Sequence, residues 1–238
     1  MKTVLITGGS RGIGRAMVEK FTAEGYSVAF TYKNSDALAE ELSRSTGALA
    51  IKADNGVASD IENAVSTVRE KLGDVDVLIN NAAISSFDVF TDISLEKWNE
   101  MLSVNLTGAF LYSKLLIPAM VRNGGGRIIN ISSVWGITGS SCEVHYSVTK
   151  AALIGMTKAL AKELGPSGIT VNAIAPGVID TEMNGCLSEE DMVVLKDETP
   201  LMRIGRADEI ADAALYLASP KASFITGEVI NISGGFLV

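Results

Sequence analysis

Short apolar runs alternate along this chain with longer segments of helical periodicity. The alternation predicts seven strands, at Val4–Ile6, Val28–Tyr32, Ala48–Ile51, Val75–Ile79, Arg127–Ile131, Ile169–Ile174 and Glu228–Ile232. Strands of continuous apolar sequence that are separated by helices are typical of a parallel sheet covered on both faces. With 238 residues, the chain can bury a large core. We therefore predict one α/β domain over residues 1–238, a doubly wound, seven-stranded parallel sheet with right-handed crossovers.

The two longest predicted helices, at about Leu95–Arg122 and Glu143–Leu164, are apolar on more than one face. One sheet can cover only one side of a helix, so the remaining apolar face indicates a contact between subunits. The sequence therefore predicts a homo-oligomer.

The segment at 177–207 interrupts the alternation of strands and helices. It is acidic, follows the sixth strand, and carries Met183, Met192 and Met202. Insertions of this kind often serve as lids over active sites. We predict a mobile flap here; the alternative is an ordinary surface excursion.

The formal charge of −8 argues against two classes of partner. Nucleic acids and anionic membrane surfaces both attract clustered Lys and Arg, so we expect neither. The most apolar stretch, at 102–121, is interrupted by Asn105 and Lys114 and falls short of the ~18 continuous apolar residues of a spanning helix. The two cysteines, Cys142 and Cys186, make no disulfide framework, which favours a reducing cytoplasm. The sequence shows no cluster of ligand residues at metal-binding spacing, so no metal site is predicted.

A glycine-rich stretch, residues 7–14, follows the first strand and opens the first helix. In that position Gly8 permits a tight turn, Gly12 lets the backbone approach a pyrophosphate, and Gly14 lets the helix and strand pack closely. The helix N-terminus supplies free N–H groups and a positive potential. We predict a dinucleotide site that includes these three glycines, with Ser10, Arg11 and Ile13 between them.

The end of the second strand indicates which dinucleotide binds. Enzymes that use NAD usually carry an acid there, about 20 residues after the glycines, to hold the adenosine ribose. Here no acid occurs until Asp36, whereas Arg11 lies in the glycine-rich stretch and Lys33 lies just beyond the strand. Cations would hold a 2′-phosphate that a carboxylate would repel. We predict NADPH, the alternative being that both cations are solvated at the surface.

Tyr146 and Lys150 are one helical turn apart, so their side chains share a face. An ammonium beside a phenol favours the ionised phenol, so we expect a pKa for Tyr146 below its usual ~10. A tyrosine tuned in this way can protonate a carbonyl oxygen as hydride arrives, which predicts the reduction of a ketone. His145 is expected at the pocket rim or the surface, and Cys142 as a small apolar filler rather than a reactive thiol.

Several motifs resemble those of the classical short-chain dehydrogenases/reductases, over essentially the whole chain. The spacing of Gly8, Gly12 and Gly14 matches the family's Thr-Gly-x-x-x-Gly-x-Gly. The other matching stretches, in chain order, are Asn80-Asn81-Ala82-Ala83, Asn105, Ser132-Ser133, Tyr146-x-x-x-Lys150 and Ala175-Pro176-Gly177. Ala83 stands where the family usually has Gly. The resemblance implies a Rossmann fold and a tetramer.

The resemblance also implies roles for individual residues. Tyr146 would be the proton donor, Ser133 would hydrogen-bond the substrate oxygen, Lys150 would grip the nicotinamide ribose, and Asn105 would hold a water in a proton relay. Further cofactor contacts are expected at Asp54 for the adenine, Asn81 and Ala82 on the adenosine side, and Pro176, Gly177, Ile179 and Thr181 around the carboxamide.

Within the family, the chain is most similar to the bacterial 3-oxoacyl-acyl-carrier-protein reductases of fatty acid biosynthesis. That similarity rests on Ile179-Asp180-Thr181-Glu182-Met183 and Ile225-Thr226-Gly227-Glu228. It implies a small-molecule or carrier-bound ketone as substrate.

Three alternatives stay open. The stretch from Ser132 to Val144 is similar to a branch that reduces a 5-aminopentanone group on elongation factor P, and Glu143 would suit an amine-bearing substrate. Trp135 and the flap methionines would suit a hydroxysteroid or xenobiotic ketone. A catalytically silent dinucleotide sensor is the alternative that is not an enzyme.

Overall fold

The computed structural model describes residues 2–182, 185 and 188–236. Its strands are β1 (Thr3–Ile6), β2 (Ser27–Tyr32), β3 (Leu49–Lys52), β4 (Val77–Asn80), β5 (Gly126–Ile131), β6 (Ile169–Pro176) and β7 (Val229–Ile232). They form one sheet in the order β3-β2-β1-β4-β5-β6-β7, and every neighbouring pair is parallel. The predicted doubly wound parallel sheet is therefore confirmed. Met183 of the predicted flap and the second cysteine, Cys186, lie outside the described residues.

Helices cover both faces of the sheet. Their bounds are α1 (Gly12–Ala23), α2 (Asp36–Thr46), α3 (Ala58–Leu72), α4 (Leu95–Leu102), α5 (Gly108–Arg122), α6 (Trp135–Thr138), α7 (Val144–Leu164), α8 (Glu189–Asp197) and α9 (Ala207–Ala218). Successive strand residues enter different cores because strand side chains alternate. Val4 and Ile6 pack with Phe21 and Ile210 on one face, while Leu5 packs with Tyr112 on the other.

The long helix predicted at Leu95–Arg122 is interrupted by a π-helical turn at Ser103–Thr107, between α4 and α5. In this turn Asn55 Nδ2 donates a hydrogen bond of 2.6 Å to the carbonyl of Val104. A side chain that enters the hydrogen-bond ladder of a helix disturbs its register, and π-turns of this kind often mark functional sites. Apolar periodicity alone did not reveal the interruption, because Asn55 lies far away in the sequence.

The same continuous helical stretch, Leu95–Arg122, is long and apolar enough by length and composition to cross a membrane, whereas its interrupting polar residues had predicted no such segment. Half of its most apolar window is buried inside the domain. Tyr112 and Leu116 form part of the core on that face of the sheet. One such helix is weak support for a membrane span, because core helices pass the same test.

The strand order reverses direction between β1 and β4. In open parallel sheets, the loops after two such strands leave the same edge in opposite directions, and ligands bind at that point beyond the carboxyl ends. The glycine-rich stretch follows β1, Asn81 follows β4, and Ser133 follows β5. The topology therefore brings motifs that are distant in sequence to one edge.

Candidate active site

The glycine-rich loop turns tightly after β1. Gly8 and Gly12 have φ angles of +67° and +52°, in the left-handed region that favours glycine. A Cβ on Gly8 would lie 2.9 Å from the Cα of Ala82, and a Cβ on Gly14 would lie 2.1 Å from the carbonyl oxygen of Gly8. The loop therefore closes on itself and on the loop after β4, and no side chain fits at either position.

The N-terminus of α1 opens directly from this loop. Arg11 is the N-cap residue, and its side chain makes no capping hydrogen bond. A pyrophosphate binds where the N–H groups of the first helical turn are free and where no side chain blocks its approach to them. Ser10 is buried, and Ile13 is half-buried against the core. The residues present fit the diphosphate of a dinucleotide.

Two polar side chains, those of Thr7 and Asn81, hold this loop in place. Thr7 Oγ1 accepts hydrogen bonds from the backbone N–H groups of Asn81 and Ala82, at 2.9 and 3.0 Å. Asn81 Nδ2 donates to the carbonyls of Thr7 and Gly8, at 2.9 and 3.1 Å. The side-chain amide N–H of Asn81 is thus used to lock the two loops together. The threonine that precedes the glycines was the available sequence signal.

The adenosine end of the site would lie at the ends of β2 and β3. Lys33 Nζ lies 2.7 Å from Asp54 Oδ2, so the two residues expected to contact this part of the cofactor form an ion pair. Burial acts to raise the pKa of Asp54, but hydrogen bonds from Lys33 and from the Gly56 N–H lower it overall. Arg11 is exposed and makes no ion pair with any of the described residues.

Ser133, Tyr146 and Lys150 lie together, and all three are buried. The Ser133 hydroxyl lies close enough to the Tyr146 hydroxyl to act on its pKa, and Lys150 Nζ lies 5.4 Å from the centre of the Tyr146 ring. Lys150 Nζ also donates to the carbonyl of Ile131 at 2.8 Å. Each side chain comes from an element fixed elsewhere by the fold: the end of β5 for Ser133 and the first two turns of α7 for the others.

Burial reverses the expected direction of the Tyr146 pKa. Loss of solvent raises the pKa of Tyr146, and the nearby Ser133 hydroxyl only partly opposes this rise. The same burial lowers the pKa of Lys150 from 10.5 to about 7. The helical spacing of the two residues indicates their attraction but not the cost of desolvating both charges.

The segment after β5 is packed tightly onto α7. Ser132 Oγ donates to the carbonyl of Lys150 at 2.8 Å, and a Cβ on Gly136 would lie 2.7 Å from the carbonyl carbon of Lys150. The Trp135 N–H donates to Ser133 Oγ at 3.1 Å. The Trp135 ring itself packs edge-on against Phe236, with centroids 5.6 Å apart. These contacts set the position of Ser133 relative to Tyr146.

Asn105 is buried in the π-turn and spans three elements. Its Oδ1 accepts from the N–H of Ile84 at 2.8 Å, and its Nδ2 donates to the carbonyl of Ile84 at 2.9 Å. Nδ2 also contacts Thr149 Oγ1 at 3.2 Å. Because the side chain is occupied by these contacts, a water relay at Asn105 would use its backbone oxygen.

At the expected carboxamide end, the backbone is closely packed. The Gly177 N–H donates to the carbonyl of Ile232 at 2.9 Å, and a Cβ on Gly177 would lie 2.8 Å from the Cα of Ser233. Pro176 ends β6, and its carbonyl accepts from Val134. The side chain of Ile179 belongs to the core, so a cofactor contact there would use the backbone. Thr181 lies against the glycine loop, with Cγ2 3.3 Å from the position of a Cβ on Gly12.

Two expectations for nearby residues were wrong. His145 is not at the rim or the surface, because only 1% of it is exposed. Cys142 is not an apolar filler: it is exposed and has a φ of +60°. In each case burial depends on the loops before α7, whose path the sequence pattern does not reveal.

Comparison with known proteins agrees with this arrangement. The family model described as enoyl-(acyl carrier protein) reductase matches residues 8–237. A 3-oxoacyl-[acyl-carrier-protein] reductase of Aquifex aeolicus is 44% identical over 239 residues, which cover 98% of this chain and 96% of that protein. The chain belongs to the short-chain dehydrogenase/reductase family. The resemblance seen in the sequence is therefore confirmed.

Solved structures of proteins with this fold superimpose closely on this chain. A double mutant of a Serratia marcescens short-chain dehydrogenase/reductase superimposes with a TM-score of 0.94 at 38% identity, covering 100% of this chain and 98% of that one. A blue fluorescent protein from a metagenomic library, solved in complex with NADPH, superimposes with a TM-score of 0.92 at 35% identity and with the same coverage.

Proposed function

We propose that this protein is an NADPH-dependent ketone reductase that acts on 3-oxoacyl thioesters. This is the substrate class in the name of its relatives, the 3-oxoacyl-[acyl-carrier-protein] reductases. The observation that carries the proposal is the buried pair of neighbouring hydroxyls, Ser133 and Tyr146, with Lys150 beside the Tyr146 ring. Bound NADPH would supply the hydride that reduces the carbonyl carbon.

The chain supplies the proton and the place for the ketone. Because burial raises the pKa of Tyr146, its phenol stays protonated at neutral pH and can donate to the carbonyl oxygen. Ser133 would donate a hydrogen bond to the same oxygen. As the phenol loses its proton, the nearby Lys150 ammonium would stabilise the phenolate.

NADPH is favoured over NADH by two cations at the adenosine end. Lys33 and Arg11 lie beyond β2 and at the start of α1, and Asp54 neutralises only Lys33. Arg11 would therefore carry most of the interaction with a 2′-phosphate.

The test is a panel of three substrates, an acetoacetyl thioester, an amino-ketone and a steroid ketone. Turnover of each by the wild type and by Tyr146→Phe is measured as the oxidation of NADPH. We expect turnover of the thioester, lost in the variant. Tight NADPH binding without turnover of any ketone would support the silent sensor instead.

A second candidate substrate, an amine-bearing ketone, is favoured by Glu143. This carboxyl is 6% exposed, lies close enough to Tyr146 to act on its pKa, and is not paired with a cation among the described residues. Burial raises the pKa of Glu143, which a substrate ammonium would reverse. If Glu143→Gln removes activity on the amino-ketone but leaves activity on the thioester, Glu143 selects the cationic substrate.

The protein would act as a tetramer. Phe110 on α5 is 48% exposed and Val148 on α7 is 40% exposed, so both long helices present apolar side chains outward. A second copy of the chain would cover them. Light scattering of Phe110→Glu tests this, because a charge in the interface should lower the measured mass and a surface charge should not.

Two further assignments belong to the proposal. The segment at 177–207 would close over the bound cofactor, since Thr181 lies beside Gly12 and the Ile179–Gly205 bridge anchors its ends.

The activity would be cytoplasmic, where an exposed thiol such as Cys142 stays reduced.

A further inference from the structure

His145, the only histidine in the chain, directly precedes Tyr146 and is 1% exposed. Its Nε2 lies 2.7 Å from Ser86 Oγ, and Ser86 Oγ donates to Asp88 Oδ2 at 2.8 Å. Lys97 Nζ binds the other carboxylate oxygen of Asp88 at 2.5 Å. The loop after β4 is thus joined to the first turn of α7 by an ordered series of polar groups.

The direction of these hydrogen bonds follows from Asp88. The hydrogen bond from Lys97, followed by that from Ser86, lowers the pKa of Asp88, so this carboxylate is ionised and can only accept. Ser86 has one hydroxyl proton, which goes to Asp88. His145 Nε2 must then be the donor to Ser86, so Nε2 carries a proton. Its Nδ1 is buried and has no partner within the described part of the chain, which disfavours a second proton there.

This order excludes a nucleophilic serine. In a Ser-His-Asp hydrolase the histidine removes the serine proton and the carboxylate binds the opposite ring nitrogen. Here the proton of Ser86 points away from His145, and Asp88 lies on the Nε2 side, 3.7 Å from that atom. The hydrogen-bonded array of His145, Ser86 and Asp88 is suited to holding the backbone in place and not to attacking a carbonyl.

The loop that the array holds runs beside the turn that carries Tyr146. Both backbone groups of Ile84 are bound by Asn105, and the Asp88 N–H donates to the carbonyl of Cys142 at 2.8 Å. Thr149 links the Asn105 side chain to the Tyr146 carbonyl, at 3.2 and 2.8 Å. Tyr146 therefore lies between two attachments of the same loop, one through Thr149 and one through His145.

We infer that His145 is a positioning residue: by donating to Ser86 it fixes the loop at 84–88 against the first turn of α7 and so sets the place of the Tyr146 hydroxyl. The inference rests on the proposed function, because it assigns His145 a part in placing the proton donor. His145 itself does not touch the reacting atoms in this role.

A pair of substitutions separates the hydrogen bond from the volume of the ring. His145→Leu removes the donor, and we expect kcat to fall ~10-fold or more, because small displacements of a reacting group have large effects on rate. The KM for NADPH should stay within about twofold. His145→Gln keeps an N–H that can reach Ser86 and should restore most of kcat. Wild-type kcat in His145→Leu, or no recovery in His145→Gln, would overturn the inference.

A double-mutant cycle tests the path through Ser86. Ser86→Ala should lower kcat as His145→Leu does, and the double variant should be no slower than either, since both changes cut one connection. Effects that multiply would mean that the two residues act independently, and the inference would fail.

Asn172→Ala is the matched control for stability. Asn172 also ties two segments by side-chain hydrogen bonds, to Ile225 and Glu228 at 2.8 and 3.1 Å, but on β6 away from Tyr146. We expect it to lower Tm and leave kcat unchanged. An equal loss of kcat in Asn172→Ala at equal loss of Tm would assign the His145 effect to stability alone.

The tautomer can be read without any activity assay. Because the chain has one histidine, protein labelled with ¹⁵N-histidine and freed of any affinity tag gives one pair of ring signals. We expect a protonated Nε2 and a bare Nδ1 near neutral pH, changing in Ser86→Ala. The opposite tautomer or a charged ring would refute the array, whatever the enzyme reduces. If the array is present and no ketone is reduced, the proposed function fails instead.

Discussion

Lys33 Nζ lies 2.7 Å from Asp54 Oδ2, so two residues expected to serve different parts of the adenosine are bonded to each other. The pair joins the loops after β2 and β3. It leaves Arg11 as the cation at this end that no described carboxylate pairs with. The two cations are therefore not equivalent toward a 2′-phosphate.

Arg11→Ala should raise the KM for NADPH by ~10-fold or more, because the loss of a hydrogen bond between charged groups weakens binding by about this factor. The KM for NADH should change little. Lys33→Ala should have a smaller effect, because its charge is already partly neutralised by Asp54. Steady-state kinetics with both cofactors measure this. Lys52→Ala is the control, since Lys52 also pairs with an aspartate, Asp36, at 2.9 Å. Equal losses with NADPH and NADH would show that neither cation reads the phosphate.

Tyr146→Phe should lower kcat at least ~100-fold, because it removes the proposed proton donor and keeps the ring. NADPH affinity should be retained, as measured by fluorescence titration. Tyr216→Phe, which alters a 45% exposed tyrosine, should have wild-type kcat. Near-normal turnover in the Tyr146 variant would remove Tyr146 from the role.

Lys150→Met should stabilise the fold most at low pH. Burial lowers the pKa of Lys150 to about 7, so between this value and 10.5 the unfolded chain holds a proton that the folded protein releases. Stability therefore rises with pH across this window, and the cost of the buried charge is greatest below it. The gain in Tm for Lys150→Met should be largest at about pH 6 and shrink toward about pH 10.

Differential scanning calorimetry at several pH values measures this dependence. Lys158→Met, on the exposed side of the same helix, should show no comparable trend. A gain that does not depend on pH would mean that Lys150 is not desolvated as the structure indicates.

Gly9→Ala should destabilise the glycine loop. A Cβ at this position would lie 2.5 Å from the Cβ of Phe30, an atom that cannot move without moving β2. We expect a loss of ~2 kcal/mol or more and weaker NADPH binding. Gly165→Ala, where a Cβ meets no atom within 4 Å, is the control and should be close to neutral in both measurements. Unchanged stability in Gly9→Ala would show that the loop has room to shift.

Local patterns were sufficient for much of this protein. The strand and helix order, the glycine loop after β1 and the shared face of Tyr146 and Lys150 all depend on neighbours within a few residues, and a pattern can show such relationships. Several motifs in one order were also sufficient to place the chain in its family. The parallel sheet then followed, because buried apolar strands separated by helices have few other arrangements.

The tertiary structure decided what surrounds each group. Asn105 binds Ile84, Asn55 reaches the π-turn, and His145 is buried against Ser86; each contact joins segments that are well separated in the sequence. The direction in which the Tyr146 pKa shifts also depended on segments that are distant in the sequence. Its helical spacing from Lys150 is a local property, but the solvent that both side chains lose is removed by distant strands and loops, and that loss outweighs their attraction.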